Sequence, residues 1–262
     1  MPGTIVFAGK MKKSQKIILG LVMLLPVLLA VTFNLWSGNP SRAEASMSVT
    51  GVSPLAAPIR NLWGAPKSEK IDLAFSRTGD SISWTWNRET PNKQPGLDYI
   101  QPIYPNARLT LKNPLTVNDI ESFNLYSDFT FTSKPAGRYN LAFDIFFREK
   151  GTGTPRLEIM VWLDENSAQP SSKYLGKCTD GINTYKKYWW TRTGDGLEYR
   201  SFLLDNPGGV LRQPVNLKAL IDLVKPDIDW YVSEVELGTE IWDGSGTIEV
   251  KTFQIEINGE IF

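Results

Sequence analysis

Leu157-Glu158-Ile159-Met160-Val161-Trp162-Leu163 is a strand whose two faces disagree. Its odd positions are all aliphatic; its even positions are Glu, Met and Trp. Side chains alternate across a strand, so one face belongs to a core and the other presents a carboxylate beside a thioether and an indole. An unpaired carboxylate is expensive to bury in such company, so this face is expected to line a cleft. Leu141-Ala142-Phe143-Asp144-Ile145-Phe146-Phe147 repeats the pattern, with Asp144 opposing the aliphatic side. If these two strands pair, Asp144 and Glu158 are neighbours on one face. Two close carboxyls push their pKa values apart, and one keeps a proton to bond the other.

Outward from this pair the chain is strand after strand. Segments 71–75, 81–86, 108–111, 122–131, 139–147, 157–163, 185–190, 197–204, 230–237 and 247–257 are rich in β-branched and aromatic residues, with Gly, Pro, Asn and Asp between them. One segment, 216–224, has Asn216 as an N-cap, apolar residues at helical spacing, and a stop before Pro226. Many strands and one helix predict an all-β sandwich of two sheets. In 247–257 the apolar positions switch from even (Ile248, Val250) to odd (Phe253, Ile255, Ile257), which predicts a bulge near Lys251-Thr252 and a curved sheet.

Composition narrows the chemistry. The 262 residues contain no histidine, which removes Ser-His and Cys-His catalysis and most zinc sites. Cys178 is the single cysteine, so no intrachain disulfide forms, and it reads as a loop thiol without a role. Basic and acidic residues balance at 28 each, which argues against nucleic acid as a partner. Residues 1–45 read as a signal peptide or N-terminal membrane anchor. Lys12, Lys13 and Lys16 precede a 17-residue uncharged run, 17–33, and Ala43-Glu44-Ala45 is a cleavage signal before Ser46. Met11 is an alternative start. The expectation is a secreted or extracytoplasmic monomer that meets a membrane only if the segment is uncleaved. Residues 46–59, small and Pro-containing, read as a short linker, and 60–262 as one catalytic domain. Without residues 1–45 the chain keeps 23 basic and 27 acidic residues, a net charge of −4 that suits a neutral polymer.

A second acidic motif is Gly238-Thr239-Glu240-Ile241-Trp242-Asp243-Gly244-Ser245-Gly246. Glu240 stands at a strand end beside Ile241 and Trp242, where a raised pKa suits a general acid. Two carboxyls among aromatics are the parts needed to cleave a glycosidic bond. Nine tryptophans are available as flat platforms for sugar rings; Trp36 lies in the leader. Trp84 and Trp86 share one face of 81–86, and the pattern leaves both cleft and core open for them.

At these residues the chain resembles glycoside hydrolase family 12. Leu157-Glu-Ile-Met-Val-Trp-Leu163 is similar to that family's nucleophile strand, and Leu237-Gly-Thr-Glu-Ile-Trp-Asp-Gly-Ser-Gly246 to its acid/base segment, with the glutamates 82 positions apart. Asn61-Leu62-Trp63-Gly64, Tyr104-Pro105-Asn106 and Phe143-Asp144-Ile145-Phe146 also match. The resemblance spans about 60–258. It implies a β-jelly-roll sandwich of two antiparallel sheets with a concave substrate cleft and one short helix. It further implies retaining endo-hydrolysis of β-1,4-glucans, or of xyloglucan or mixed-linkage glucan, without metal or cofactor. By motif, Glu158 would be the nucleophile, Glu240 the acid/base and Asp144 the partner of the nucleophile. Asn61 and Trp63 would bind sugar on the non-reducing side. Met160, Trp162 and Pro170 would support the site, and Trp84, Trp86 and Trp242 are further substrate-binding candidates.

Departures concern substrate preference. Ile241 stands where many members have Pro, and Trp190-Thr-Arg-Thr-Gly-Asp-Gly196 matches the family's loop poorly. The family's strand before Asn-Leu-Trp-Gly is expected to be replaced by the 46–59 linker. A carbohydrate-binding jelly roll is the alternative reading; it would not need both glutamates.

Overall fold

The structure, a computed structural model, describes residues 51–170, 172–207 and 213–262. The leader and residues 46–50 of the expected linker lie outside the described residues. Two sheets form the body. The back sheet holds β1 (Gly51–Val52), β3 (Asp72–Thr78), β4 (Ser81–Arg88), β6 (Phe123–Ala136), β12 (Val215–Asn216), β14 (Gly244–Ile257) and β15 (Glu260–Ile261). The cleft sheet holds β2 (Ala56–Ile59), β5 (Asn106–Thr116), β7 (Tyr139–Arg148), β8 (Pro155–Asn166), β9 (Lys173–Thr179), β10 (Thr184–Thr191), β11 (Glu198–Leu204) and β13 (Tyr231–Ile241), in the order β2-β5-β13-β7-β8-β11-β10-β9. Pairing is antiparallel throughout except at β8–β11 and β1–β14, which run parallel.

The aliphatic faces do what alternation requires. Leu141, Phe143, Ile145 and Phe147 of β7 and Leu157, Ile159, Val161 and Leu163 of β8 are buried between the sheets, against Ile248, Val250, Phe253 and Ile255 of β14. A second, smaller apolar cluster of Tyr104, Ala142, Met160, Trp162, Ala168 and Leu203 lies on the opposite face of the cleft sheet. That sheet is therefore apolar on both sides, with a core beneath and a cleft floor above. The expected break in β14 is present, as its register against β6 slips between Val250 and Thr252. One helix, α1 (Leu217–Val224), packs on β6 with Leu217, Leu220 and Ile221 buried. The Asn216 side chain accepts from the Ala219 N–H at 3.1 Å as its N-cap.

Two expectations are corrected. Residues 51–59 are no linker: β1 pairs with β14, and β2 forms the edge of the cleft sheet against β5. The segment looked like a linker because edge strands tolerate Pro and short length. Trp84 and Trp86 are not cleft residues. They are fully buried in β4 on the face turned to the other sheet, and the Trp84 indole donates to Thr239 Oγ1 at 3.2 Å. Gly246 leaves room for Trp86, since a Cβ there would meet the indole at 2.5 Å. Trp84→Ala should accordingly cost about 3–5 kcal/mol of unfolding free energy by urea titration, with KM for polymer unaltered in the folded fraction. A folded, equally stable variant with raised KM would return Trp84 to the cleft.

Candidate active site

Register brings the carboxyls together. Asp144 of β7 stands opposite Glu236 of β13 on one side and Met160 of β8 on the other. Glu158 is two residues from Met160, hence on the same face and diagonal to Asp144. Glu240 stands opposite Asn140, four residues before Asp144 on β7. Tyr199 of β11 stands opposite Glu158.

Each carboxyl has a different environment. Asn140 Nδ2 donates to Glu240 Oε2 at 2.5 Å, and Asn140 Oδ1 accepts from the Glu240 N–H at 3.1 Å. Glu240 is thus fixed at side chain and backbone by one buried amide. Glu158 is half-buried and accepts no hydrogen bond from a described residue. Asp144 is buried, and its Oδ1 has no partner among the described residues. Glu236 is held by Arg108, whose Nε donates at 2.6 Å; Arg108 and Arg148 also pair with Glu234 at 3.3 and 2.8 Å.

Burial pushes the Asp144 carboxyl well above the usual carboxylate range, and the charges of Glu158, Glu236 and Glu240 add to the effect. Burial also raises Glu158, followed by the charge of Glu240, with the Arg192 guanidinium pulling the other way. Glu240 is raised by burial and drawn down by the Asn140 hydrogen bond. Glu236 is raised by burial against the opposing pull of Arg108. Three unneutralised carboxyls this close do not all ionise together; their protons leave in steps that belong to the group.

The surroundings fit a cleft. Tyr104 lies over Gly238, where a Cβ would come within 2.7 Å of its ring, and its hydroxyl donates to the Ala142 carbonyl at 3.1 Å. Tyr199 donates to Met160 Sδ at 3.2 Å. Burial beside the carboxylates raises both phenols well above their ordinary value, so both stay protonated. Beyond β2, the Asn61 side chain accepts from the Trp63 N–H at 3.2 Å, and the Asn61 carbonyl from the Tyr104 N–H at 2.8 Å. The Asn61–Trp63 turn is thereby tied to the cleft floor while the Trp63 side chain is 52 % exposed. Gly64 completes that turn, because a Cβ there would run into the Pro102 carbonyl.

The other expected residues divide. Met160 and Trp162 are buried in the floor, so they shape the site from beneath and offer no open platform. Trp242 is half-buried against the same floor cluster, with the Arg138 guanidinium 5.6 Å from its ring centroid. Pro170 is buried in the segment between β8 and β9, and no described contact brings it to the carboxyls. Tyr104 appeared in a matching motif without a role, and Asn140, Tyr199, Glu236 and Arg192 were not singled out from sequence. Asn140 was within reach, since it shares the parity of Asp144 in the same strand.

The family model described as glycosyl hydrolase family 12 matches residues 29–258. Endoglucanase S of Pectobacterium parmentieri is 23 % identical over 216 residues, covering 75 % of this chain and 80 % of that protein. Among solved structures, a family 12 xyloglucanase from Bacillus licheniformis superimposes with a TM-score of 0.66 at 21 % identity, over 78 % of this chain and 93 % of that one. Endoglucanase 3 of Trichoderma harzianum gives 0.63 at 21 % identity, over 78 % and 91 %. The chain belongs to glycosyl hydrolase family 12 and is an endo-acting glycoside hydrolase.

Proposed function

We propose that this enzyme is an exported β-1,4-glucanase that retains anomeric configuration, with Glu158 as nucleophile and Glu240 as acid/base. The supporting observation is the unequal treatment of two carboxyls on one cleft face: Glu240 is locked by Asn140, whereas Glu158 is free to attack. Glu158 adds to the anomeric carbon as the bond from that carbon to the leaving oxygen breaks, and the proton of Glu240 passes to that oxygen. Water then gives its proton to Glu240 and its oxygen to the anomeric carbon, which releases the Glu158 carboxylate. Asp144, driven to its neutral form by burial and by its neighbours' charge, serves as a donor to Glu158; that bond and the Arg192 charge favour the ionised nucleophile against the burial that lifts Glu158 to about 8, above Glu240 at about 7. The relatives are endoglucanases and a xyloglucanase, which supports a β-glucan backbone as substrate. Export rests on the leader-like composition of residues 1–45.

The test is reducing-sugar release from carboxymethylcellulose, barley β-glucan and xyloglucan, beside Glu158→Gln. Activity should fall by about three orders of magnitude or more in the variant, and NMR of early products should show the β-anomer before mutarotation. Early α-anomer, or a fully active variant, would sink this assignment.

Two pH profiles probe the roles. The alkaline limb of kcat/KM follows the proton of Glu240, and Asn140 draws that group down. Asn140→Ala should therefore move the alkaline limb to higher pH and lower kcat about tenfold. The acid limb follows ionisation of Glu158, which Arg192 favours. Arg192→Gln should therefore move the acid limb to higher pH. Limbs that stay in place, or move the opposite way, would exchange or remove these roles.

A further inference from the structure

The cleft face continues past the carboxyls over the outer strands β11, β10 and β9, and register settles what it carries. Glu158 stands opposite Tyr199, and Tyr199 opposite Trp190. One step along, Met160 stands opposite Ser201, Ser201 opposite Tyr188, and Tyr188 opposite Tyr174. Trp190, Tyr188 and Tyr174 therefore share the face of Glu158. Trp190 is 44 % and Tyr174 51 % exposed, and the Tyr174 and Tyr188 rings lie 5.4 Å apart. On the other face of β10, Tyr185 is in the core and Trp189 lies 4.6 Å beneath the Arg200 guanidinium. A strand near a sheet edge that only met solvent would be polar on its outer face. This one is aromatic on both faces, and its outer aromatics run continuously into the catalytic cleft. Concentrated apolar surface of this kind marks a binding surface. A β-glucan fits it, since its C–H faces lie on indole and phenol rings while its hydroxyls stay in water.

We infer that Trp190, Tyr188 and Tyr174 form a platform for the glucosyl units on the leaving-group side of the scissile bond. This rests on the proposed function and on the non-reducing side that the family resemblance implies for Asn61 and Trp63. Those residues follow β2 at one end of the strand order, the platform occupies the other end, and β13, β7 and β8 with the carboxyls lie between. Trp190 opens the 190–196 segment, which matches the family pattern poorly.

The experiment uses the purified protein on reducing-end-labelled cellohexaose, or on the xyloglucan oligosaccharide of equal backbone length if xyloglucan ranks first. An aryl β-cellotrioside, whose leaving group is too short to cover the platform, is the reference substrate. Trp190→Ala and Tyr174→Ala should each lower the ratio of kcat/KM on the hexaose to that on the aryl glycoside by about tenfold. Cleavage should shift toward the reducing end, giving shorter labelled fragments, and Trp190→Phe should recover most of the ratio. An unchanged ratio, or a shift toward longer labelled fragments, overturns the platform. So does a dimer in sedimentation that Trp190→Ala dissociates, because it makes the patch an interface between copies. Failure of the unaltered protein on both substrates overturns the proposed function instead.

Discussion

Mutual repulsion among Asp144, Glu158 and Glu240 is the constraint around which the cleft is arranged. Each is raised by burial, and Asp144 and Glu158 further by the charges beside them. Placed in water these groups would all ionise; on this face they cannot, and the protons they keep are the working protons of an acid/base site. The arrangement costs stability. A carboxyl whose folded pKa lies above its unfolded value favours the folded state fully only at acid pH, and that contribution is lost as pH rises through the folded value. The sandwich core must outweigh it, and the large buried side chains of β4, β7, β8 and β14 are where that stabilisation lies.

The sheet handles its fourth carboxyl differently. Glu236 stands opposite Asp144 and would add another charge to the group, but Arg108 reaches it from β5 and the Glu234–Arg148 pair closes the network. The charge of Glu236 still raises Asp144, but the Arg108 pair holds it out of proton transfer, so the reactive set reduces to three. Asn140 then distinguishes Glu240 from Glu158 by a hydrogen bond rather than by a charge. A neutral amide can serve a group that alternates between acid and base, because one carboxyl oxygen can keep accepting from Nδ2 while the other carries the proton.

What was legible in the sequence was whatever obeys the two-residue period. The opposed faces of β7 and β8 bring Asp144, Glu158 and Met160 together once the two strands pair, as they do, and the parity switch in β14 marks its bulge. What was not legible depended on which side of a strand is covered. Ser81-Ile82-Ser83-Trp84-Thr85-Trp86 alternates just as cleanly as 157–163, yet its aromatics face the core, because β4 belongs to the back sheet and only its small polar side meets water. Residues 51–59 escaped because edge strands are short and carry Pro, and so read as linker. Asn140 escaped because an amide opposite a strand end looks like turn chemistry until pairing sets it against Glu240.

The division of the cleft sheet explains how a low overall identity coexists with one chemistry. β13, β7 and β8 stand at its centre, paired on both edges, and their cleft face carries Glu236, Glu240, Asn140, Asp144, Glu158 and Met160. A change at such a position alters charge or hydrogen bonding within the reactive group, and pairing on both sides leaves the backbone no freedom to compensate. In the proposed assignment, β2 with its Asn61–Trp63 turn at one end, and β9 to β11 at the other, offer substrate exposed rings. Rings can be moved, exchanged or lost there at the cost of affinity for particular sugar units, without touching proton transfer. In that assignment bond cleavage belongs to the centre of the sheet and substrate preference to its ends, where Trp190 opens the segment that matches the family pattern poorly.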